Sequence, residues 1–71
     1  MAETTLKVQG MSCEHCVRSV TQALRSVDGV ESAEVDLGAG RARVRYDASR
    51  TTPRQLVGAV MDEGYTAEAS S

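Results

Sequence analysis

Residues 5–17 read Thr-Leu-Lys-Val-Gln-Gly-Met-Ser-Cys-Glu-His-Cys-Val, and the periodicity of the chain changes within them. Leu6 and Val8 alternate with Thr5, Lys7 and Gln9, the pattern of a half-buried strand over residues 5–9. From Cys13 onward the spacing becomes helical: Val17, Val20, Leu24 and Val27 recur at intervals of three, four and three. Ser12 is placed to cap this helix and Gly29 to end it in a left-handed conformation. Cys13 and Cys16, the only two cysteines, fall where strand gives way to helix.

Strand alternation then returns. Ala33, Val35 and Leu37 share one face and Glu34 and Asp36 the other; after Gly38-Ala39-Gly40, Ala42, Val44 and Tyr46 face in while Arg41, Arg43 and Arg45 face out. The two runs predict a hairpin whose solvent face sets acids opposite arginines. Exposed pairs of that kind contribute under about 1 kcal/mol each, so the arginine row reads as a solvated face and not as an anion site. Thr52-Pro53-Arg54-Gln55 starts a second helix: Thr52 caps, Pro53 suits the first helical position, and Gln55 completes a capping box. Leu56, Ala59 and Val60 supply its buried stripe, Met61 flanks it in the core or at its boundary, and Gly64 closes the helix. Residues 65–68 make a short last strand, and Ser70 and Ser71 are expected to fray. The order β-α-β-β-α-β predicts an α+β fold of the ferredoxin-like kind, with a four-stranded antiparallel sheet and two helices on one face.

With 71 residues the chain reads as one domain, residues 1–71, with an ordered core over about residues 4–68. Chains of this size bury only about 60% of their unfolded surface. Without Trp or Phe, the core must come from Val, Leu, Ala, Met and two Tyr. A net charge of −2 and a pI near 5.2 give no footprint for nucleic acid or an anionic membrane. No run approaches the roughly 18 apolar residues of a membrane span. Residues 1–5 lack the basic and apolar regions of a secretory signal, so a cytoplasmic location, where thiols stay reduced, is expected. The initial Met1 and the absence of a linker predict a free-standing protein.

Two thiols three residues apart at a helix start can converge on one point. Unpaired N–H groups and the positive end of the helix dipole favour thiolate there, and Arg18 adds to that effect if it turns toward the loop. Thiolates suit Cu(I) and other soft ions. Structural zinc takes four ligands, whereas this chain offers one Cys-x-x-Cys and a single histidine, His15, lying between the cysteines. Two thiolates satisfy Cu(I), leave coordination positions open, and so predict a carrier that passes its ion on by ligand exchange.

Gly10-Met11-x-Cys13-x-x-Cys16 on this order of elements resembles the heavy-metal-associated domain family and, within it, bacterial copper chaperones of the CopZ type. The resemblance covers residues 4–67. It implies Cu(I) bound by Cys13 and Cys16 and delivered to the metal-binding domains of a copper-transporting P-type ATPase, with a copper-responsive repressor as a further recipient. It implies no enzymatic activity. The apo protein is expected to be a monomer, and an exposed two-thiolate Cu(I) can accept further sulfurs to bridge a dimer.

Four residues are expected to tune the site: Ser12, His15, Met11 and Tyr65. Met11 is expected in the core, as the family pattern uses it, and not as a thioether ligand. His15 has two open readings, a solvent-facing residue of the first turn or an imidazole that tunes thiol acidity or ligates in a dimer. Tyr65 is either a boundary aromatic or a lid over the site. Glu14, Asp62 and Glu63 would form an acidic rim for a basic partner. The rival from another class is a thiol–disulfide oxidoreductase, which also uses Cys-x-x-Cys at a helix start. Against it stand the short chain, the Glu14-His15 pair between the cysteines, and a sole proline, Pro53, that begins a helix and cannot serve as a cis-proline near the thiols. Mercury carriage would call for an export signal, and zinc or cadmium carriage for a carboxylate where Ser12 stands.

Overall fold

The computed structural model describes residues 1–69 and contains β1 (Ala2–Gln9), α1 (Glu14–Arg25), β2 (Val30–Asp36), β3 (Arg41–Tyr46), α2 (Pro53–Asp62) and β4 (Thr66–Ala69). The strands form one antiparallel sheet in the order β2-β3-β1-β4. Register puts Leu6 beside Ala42 and Ala69, Val8 beside Ala67, and Val44 beside Thr4 and Ala33. These positions therefore share one face. Leu6, Val44, Val20 and Leu24 of α1, and Leu56 and Val60 of α2 are all fully buried in one cluster, so both helices cover that face. Burying each such side chain contributes about 1.5–3 kcal/mol. Lys7, Arg41, Arg43 and Arg45 occupy the opposite, exposed face. The ferredoxin-like α+β arrangement expected from the alternation is the one present.

Several local expectations change. The N-cap of α1 is Cys13, extended at φ −158° and ψ 172° and making no side-chain capping hydrogen bond; Ser12 lies one residue outside the helix. Helix α1 stops at Arg25, four residues before Gly29, because the Val27 N–H turns to the Leu24 carbonyl at 3.2 Å in a tighter turn. Val27 still packs against the core from outside the helix. Gly29 does take the left-handed conformation expected of it, φ +98°, but beyond that turn, and close approach requires glycine as well: a Cβ there would stand 2.7 Å from the Cβ of Arg50. Met61 is 53% exposed and not in the core, since Leu56 and Val60, four apart, define the buried line and Met61 lies one residue past it. In α2, Thr52 Oγ1 accepts from the Gln55 N–H at 3.4 Å, while Gln55 Oε1 accepts from the hydroxyl of Thr51 at 2.7 Å. The capping box is thus shared between two threonines. Gly64, at φ +95°, closes α2, its N–H donating to the Met61 carbonyl.

On the open face, Glu34 stands opposite Arg43 and Asp36 opposite Arg41, as the hairpin reading requires. The ion pair that closes there is Arg45 with Glu31, at 3.9 Å, because a register shift between Val30 and Ser32 inserts Glu31 into the ladder. The last strand begins at Thr66, one residue later than expected, and β1 begins at Ala2, three earlier. The fraying expected of Ser70 and Ser71 lies outside the described residues. No helix among the described residues is long and apolar enough to cross a membrane.

The sheet order positions the loop that carries the thiols. β1 is a central strand, so the β1–α1 loop leaves from mid-sheet. On one side the pairing of Gln9 with Thr66 brings Tyr65 alongside Gly10. On the other, the Val8 N–H donates to the Gly40 carbonyl at 2.8 Å, which ties the β2–β3 turn to the end of β1.

Candidate metal centre

The loop turns out of β1 at Gly10, whose φ of +102° is a conformation L side chains rarely adopt. Space forbids a side chain as well, because a Cβ at Gly10 would stand 3.3 Å from Cδ1 of Tyr65. Met11 follows and packs half-buried against the core cluster, which anchors the loop and agrees with its core reading. Ser12 is exposed. Cys13 then begins α1, its carbonyl accepting from the N–H groups of Cys16 at 3.0 Å and Val17 at 3.2 Å.

That first turn brings the two sulfurs together. Cys13 Sγ and Cys16 Sγ lie 3.7 Å apart, both as free thiols, Cys13 exposed and Cys16 half-buried. The separation is well beyond a disulfide bond of about 2.05 Å. It is also less than two metal–thiolate bonds of about 2.3 Å, so one soft ion can touch both sulfurs. Among the described residues, no group of three or more His, Cys, Asp or Glu side chains gathers to hold a metal. The donor set is therefore a thiol pair, too small for a closed tetrahedral site and sufficient for an ion content with two sulfurs.

The two thiols are not equivalent. The Cys16 pKa is lowered from 9.0 to about 6, chiefly by the Ser12 backbone N–H, then by hydrogen bonds from the Tyr65 hydroxyl and the Cys13 thiol. Partial burial opposes these, and the Cys13 N–H adds a smaller lowering. At neutral pH Cys16 is predominantly thiolate. Tyr65 feels the reciprocal effect: its phenol is held above the ordinary 10.0, first by its hydrogen bond to Cys16, then by burial and by the nearby thiolate charges.

The structure thus brings together four of the residues singled out from sequence, Cys13, Cys16, Ser12 and Tyr65. Ser12 contributes its backbone N–H in place of a cap. Tyr65 is half-buried, packs against the core, and places its hydroxyl on Cys16. His15, Glu14 and Arg18 are exposed on the first turns of α1, and Asp62 and Glu63 are exposed at the end of α2. One participant was missed: Ser19, whose side chain partly offsets the rise in the Tyr65 phenol. Gly10, quoted from sequence only as part of the motif, seats the Tyr65 ring. Ser19 carries a signal in its spacing, three residues after Cys16 and so on the same side of the helix. The role of Gly10 depends on a residue 55 positions away and has no local signal.

The heavy-metal-associated domain model matches residues 5–66. The chain is 46% identical over 65 residues to the copper chaperone CopZ of Staphylococcus aureus (strain bovine RF122 / ET3-1), covering 92% of this chain and 96% of that protein. Among solved structures, a copper binding domain from HMA7, a P-type ATPase, superposes with a TM-score of 0.98 at 34% identity, over 100% of this chain and 96% of the other. A CopZ metallochaperone superposes with a TM-score of 0.91 at 42% identity, over 94% of this chain and 100% of the other.

Proposed function

Since the chain belongs to the heavy-metal-associated domain family, we propose that it is a copper chaperone, carrying Cu(I) on Cys13 and Cys16 and releasing it by ligand exchange. The observation that carries this reading is the exposed pair of sulfurs 3.7 Å apart with no third ligating group among the described residues. Two thiolates and one Cu(I) sum to a single negative charge, which the N-terminus of α1 favours. The similarity to chaperones named for copper supports copper over zinc as the cargo.

Transfer needs only sulfur–metal exchange. A thiolate of the recipient bonds to the ion, one of the two resident sulfurs lets go, and the step repeats at the other. Cys16 leaves as a stabilised anion because the Ser12 N–H and the Tyr65 hydroxyl remain to hydrogen-bond it. No covalent bond of a substrate is made or broken, so the protein acts as a carrier and not as an enzyme. The recipient in this reading is the metal-binding domain of a copper-transporting P-type ATPase, a fold-mate of this chain, with a copper-sensing repressor as a second recipient. The exchange takes place in the cytoplasm, and copper can bridge two copies through the same open coordination positions.

The test is an anaerobic Cu(I) titration of the reduced protein against a strong Cu(I) chelator, with Zn²⁺ in parallel. Tight 1:1 binding of Cu(I), lost in Cys13→Ser and Cys16→Ser, retained in His15→Ala and much weaker for zinc, is expected. Failure to outcompete the chelator would overturn the reading and leave disulfide chemistry of the same pair as its replacement.

A further inference from the structure

The open face of the sheet carries its charges in two columns. On β2 stand Glu31, Glu34 and Asp36, and beside them on β3 stand Arg45, Arg43 and Arg41, all exposed. Register sets Glu34 level with Arg43 and Asp36 level with Arg41, yet among the described residues neither pair closes an ion pair. Asp36 Oδ1 accepts instead from the Ala39 N–H at 3.1 Å, and Arg45 meets Glu31 only at 3.9 Å. The guanidinium groups of Arg41 and Arg43 and the Glu34 carboxylate therefore remain open to a partner beyond the chain.

Acids nearly balance bases across this face, so a partner of one sign meets as much repulsion as attraction there. A fitting partner carries a column of each sign at the strand spacing of about 4.8 Å. The chain itself is such a partner. Two sheets packed face to face lie about 10 Å apart, with strand directions within about 30° of each other. A two-fold axis along the strands, over the line between β2 and β3, lays the β2 of one copy on the β3 of the other. Each residue keeps its level: Glu34 of one copy faces Arg43 of the other, Asp36 faces Arg41, and Glu31 faces Arg45, every contact being made twice. Other arrangements fail on charge. An axis across the strands stacks β2 on β2 and sets acid on acid. An axis over the line between β3 and β1 sets Arg41 on Lys7, which stand at one level.

We propose that the β2–β3 half of the open face is a self-association surface, on which a second copy of the chain docks with this two-fold symmetry. Arginine suits such a contact, since its guanidinium bonds a carboxylate through two parallel N–H groups and its stem covers apolar surface. Covering the face also removes water from pairs that contribute little while exposed. Both β1–α1 loops then sit at the same end of the dimer, and the helices form its outer layers. The association is separate from a copper bridge through sulfur, and at low ionic strength it replaces the monomer expected of the apo chain.

Sedimentation of the copper-free, reduced protein tests this without recourse to the carrier reading. The dimer is expected at about 0.02 M salt and should weaken about tenfold or more by about 0.5 M, where charges are screened within about 4 Å. Glu34→Arg and Arg43→Glu should each weaken it about tenfold or more, because each sets like charges at the centre of the face. Mixed in equal amounts, the two variants are expected to associate with each other, since each supplies the charge the other lacks. Circular dichroism of each variant checks that the fold is kept. A monomer at every salt concentration overturns the proposal, as does association that survives undiminished in either single variant or a mixture that stays monomeric. Cu(I) titration of the same proteins bears on the carrier reading alone: loss of 1:1 binding in the parent strikes that reading and leaves the sedimentation result standing.

Discussion

Gly58 and Gly64 make a matched pair for measuring what backbone conformation alone contributes to this fold. A Cβ built at either position meets nothing within 4 Å, so neither substitution to alanine creates a clash. They differ in conformation. Gly58 lies inside α2, whereas Gly64 closes it at φ +95°. At Gly58 alanine regains the helix propensity that glycine forgoes, about 0.9 kcal/mol. At Gly64 an L side chain in the left-handed region costs about 1–2 kcal/mol. Alanine stiffens the unfolded chain equally at both sites, so the difference belongs to the folded state. For 71 residues the unfolding entropy is about 150 cal/mol/K. Gly58→Ala should then raise the Tm by about 6 °C and Gly64→Ala lower it by about 7–13 °C. Thermal melts of the reduced apo proteins, followed by far-UV circular dichroism, read this directly. Shifts of the same sign would refute the reasoning, because space and composition are matched and only φ separates the two.

Three further outcomes are expected. The Cys16 thiolate is favoured in the folded state, with its pKa near 6 against 9.0, so the unfolded chain binds more protons between those values. Stability contributed by this group is complete above pH 9 and is lost as pH falls toward 6; chemical denaturation of the reduced protein should show this slope, and Cys16→Ser should flatten it. Because Cys16 is already ionised at neutral pH, Cu(I) loading at pH 7.5 should release fewer than two protons, and the number should rise as pH falls through 6 and Cys16 takes up its proton. Calorimetry in buffers of different ionisation enthalpy measures that number, and release of two protons at pH 7.5 would contradict the lowered pKa. Leu24→Ala removes a fully buried side chain between α1 and the sheet and should destabilise by about 2–5 kcal/mol. Since Leu24 lies two turns from Cys16, the Cu(I) stoichiometry of the folded fraction should stay at one.

Most of the architecture was legible because burial imposes a period. Leu6 and Val8, Ala42 and Val44, Val20 and Leu24, and Leu56 and Val60 each declare their face through spacing, and each is buried. The thiol pair was legible for the same reason, since Cys-x-x-Cys at a strand–helix switch has one geometric outcome. Positions decided by contacts between distant segments were not. Whether Ser12 or Cys13 caps α1 depends on how the loop leaves Gly10, and that depends on Tyr65. The end of α1 depends on a turn that brings Gly29 against Arg50. Met61 was misplaced because a helix of 10 residues leaves the edge of its buried stripe to tertiary packing. The partner of Arg45 followed from a one-residue slip in register, which alternation does not reveal.

Helix α1 begins without a cap. Cys13 occupies the position where a serine, threonine or aspartate oxygen would ordinarily hold the first N–H groups, and its side chain makes no such bond. A cap of that kind is worth about 1 kcal/mol. On the proposed reading, the cargo supplies what the sequence withholds: an anionic copper–dithiolate finishes the helix that carries it. Loading and folding then draw on the same free energy. The empty carrier has a first turn inclined to fray, the filled one a turn that is sealed, and each delivery returns the helix to its unfinished state. A recipient that loosened this turn would weaken the carrier's hold on the ion without touching either sulfur.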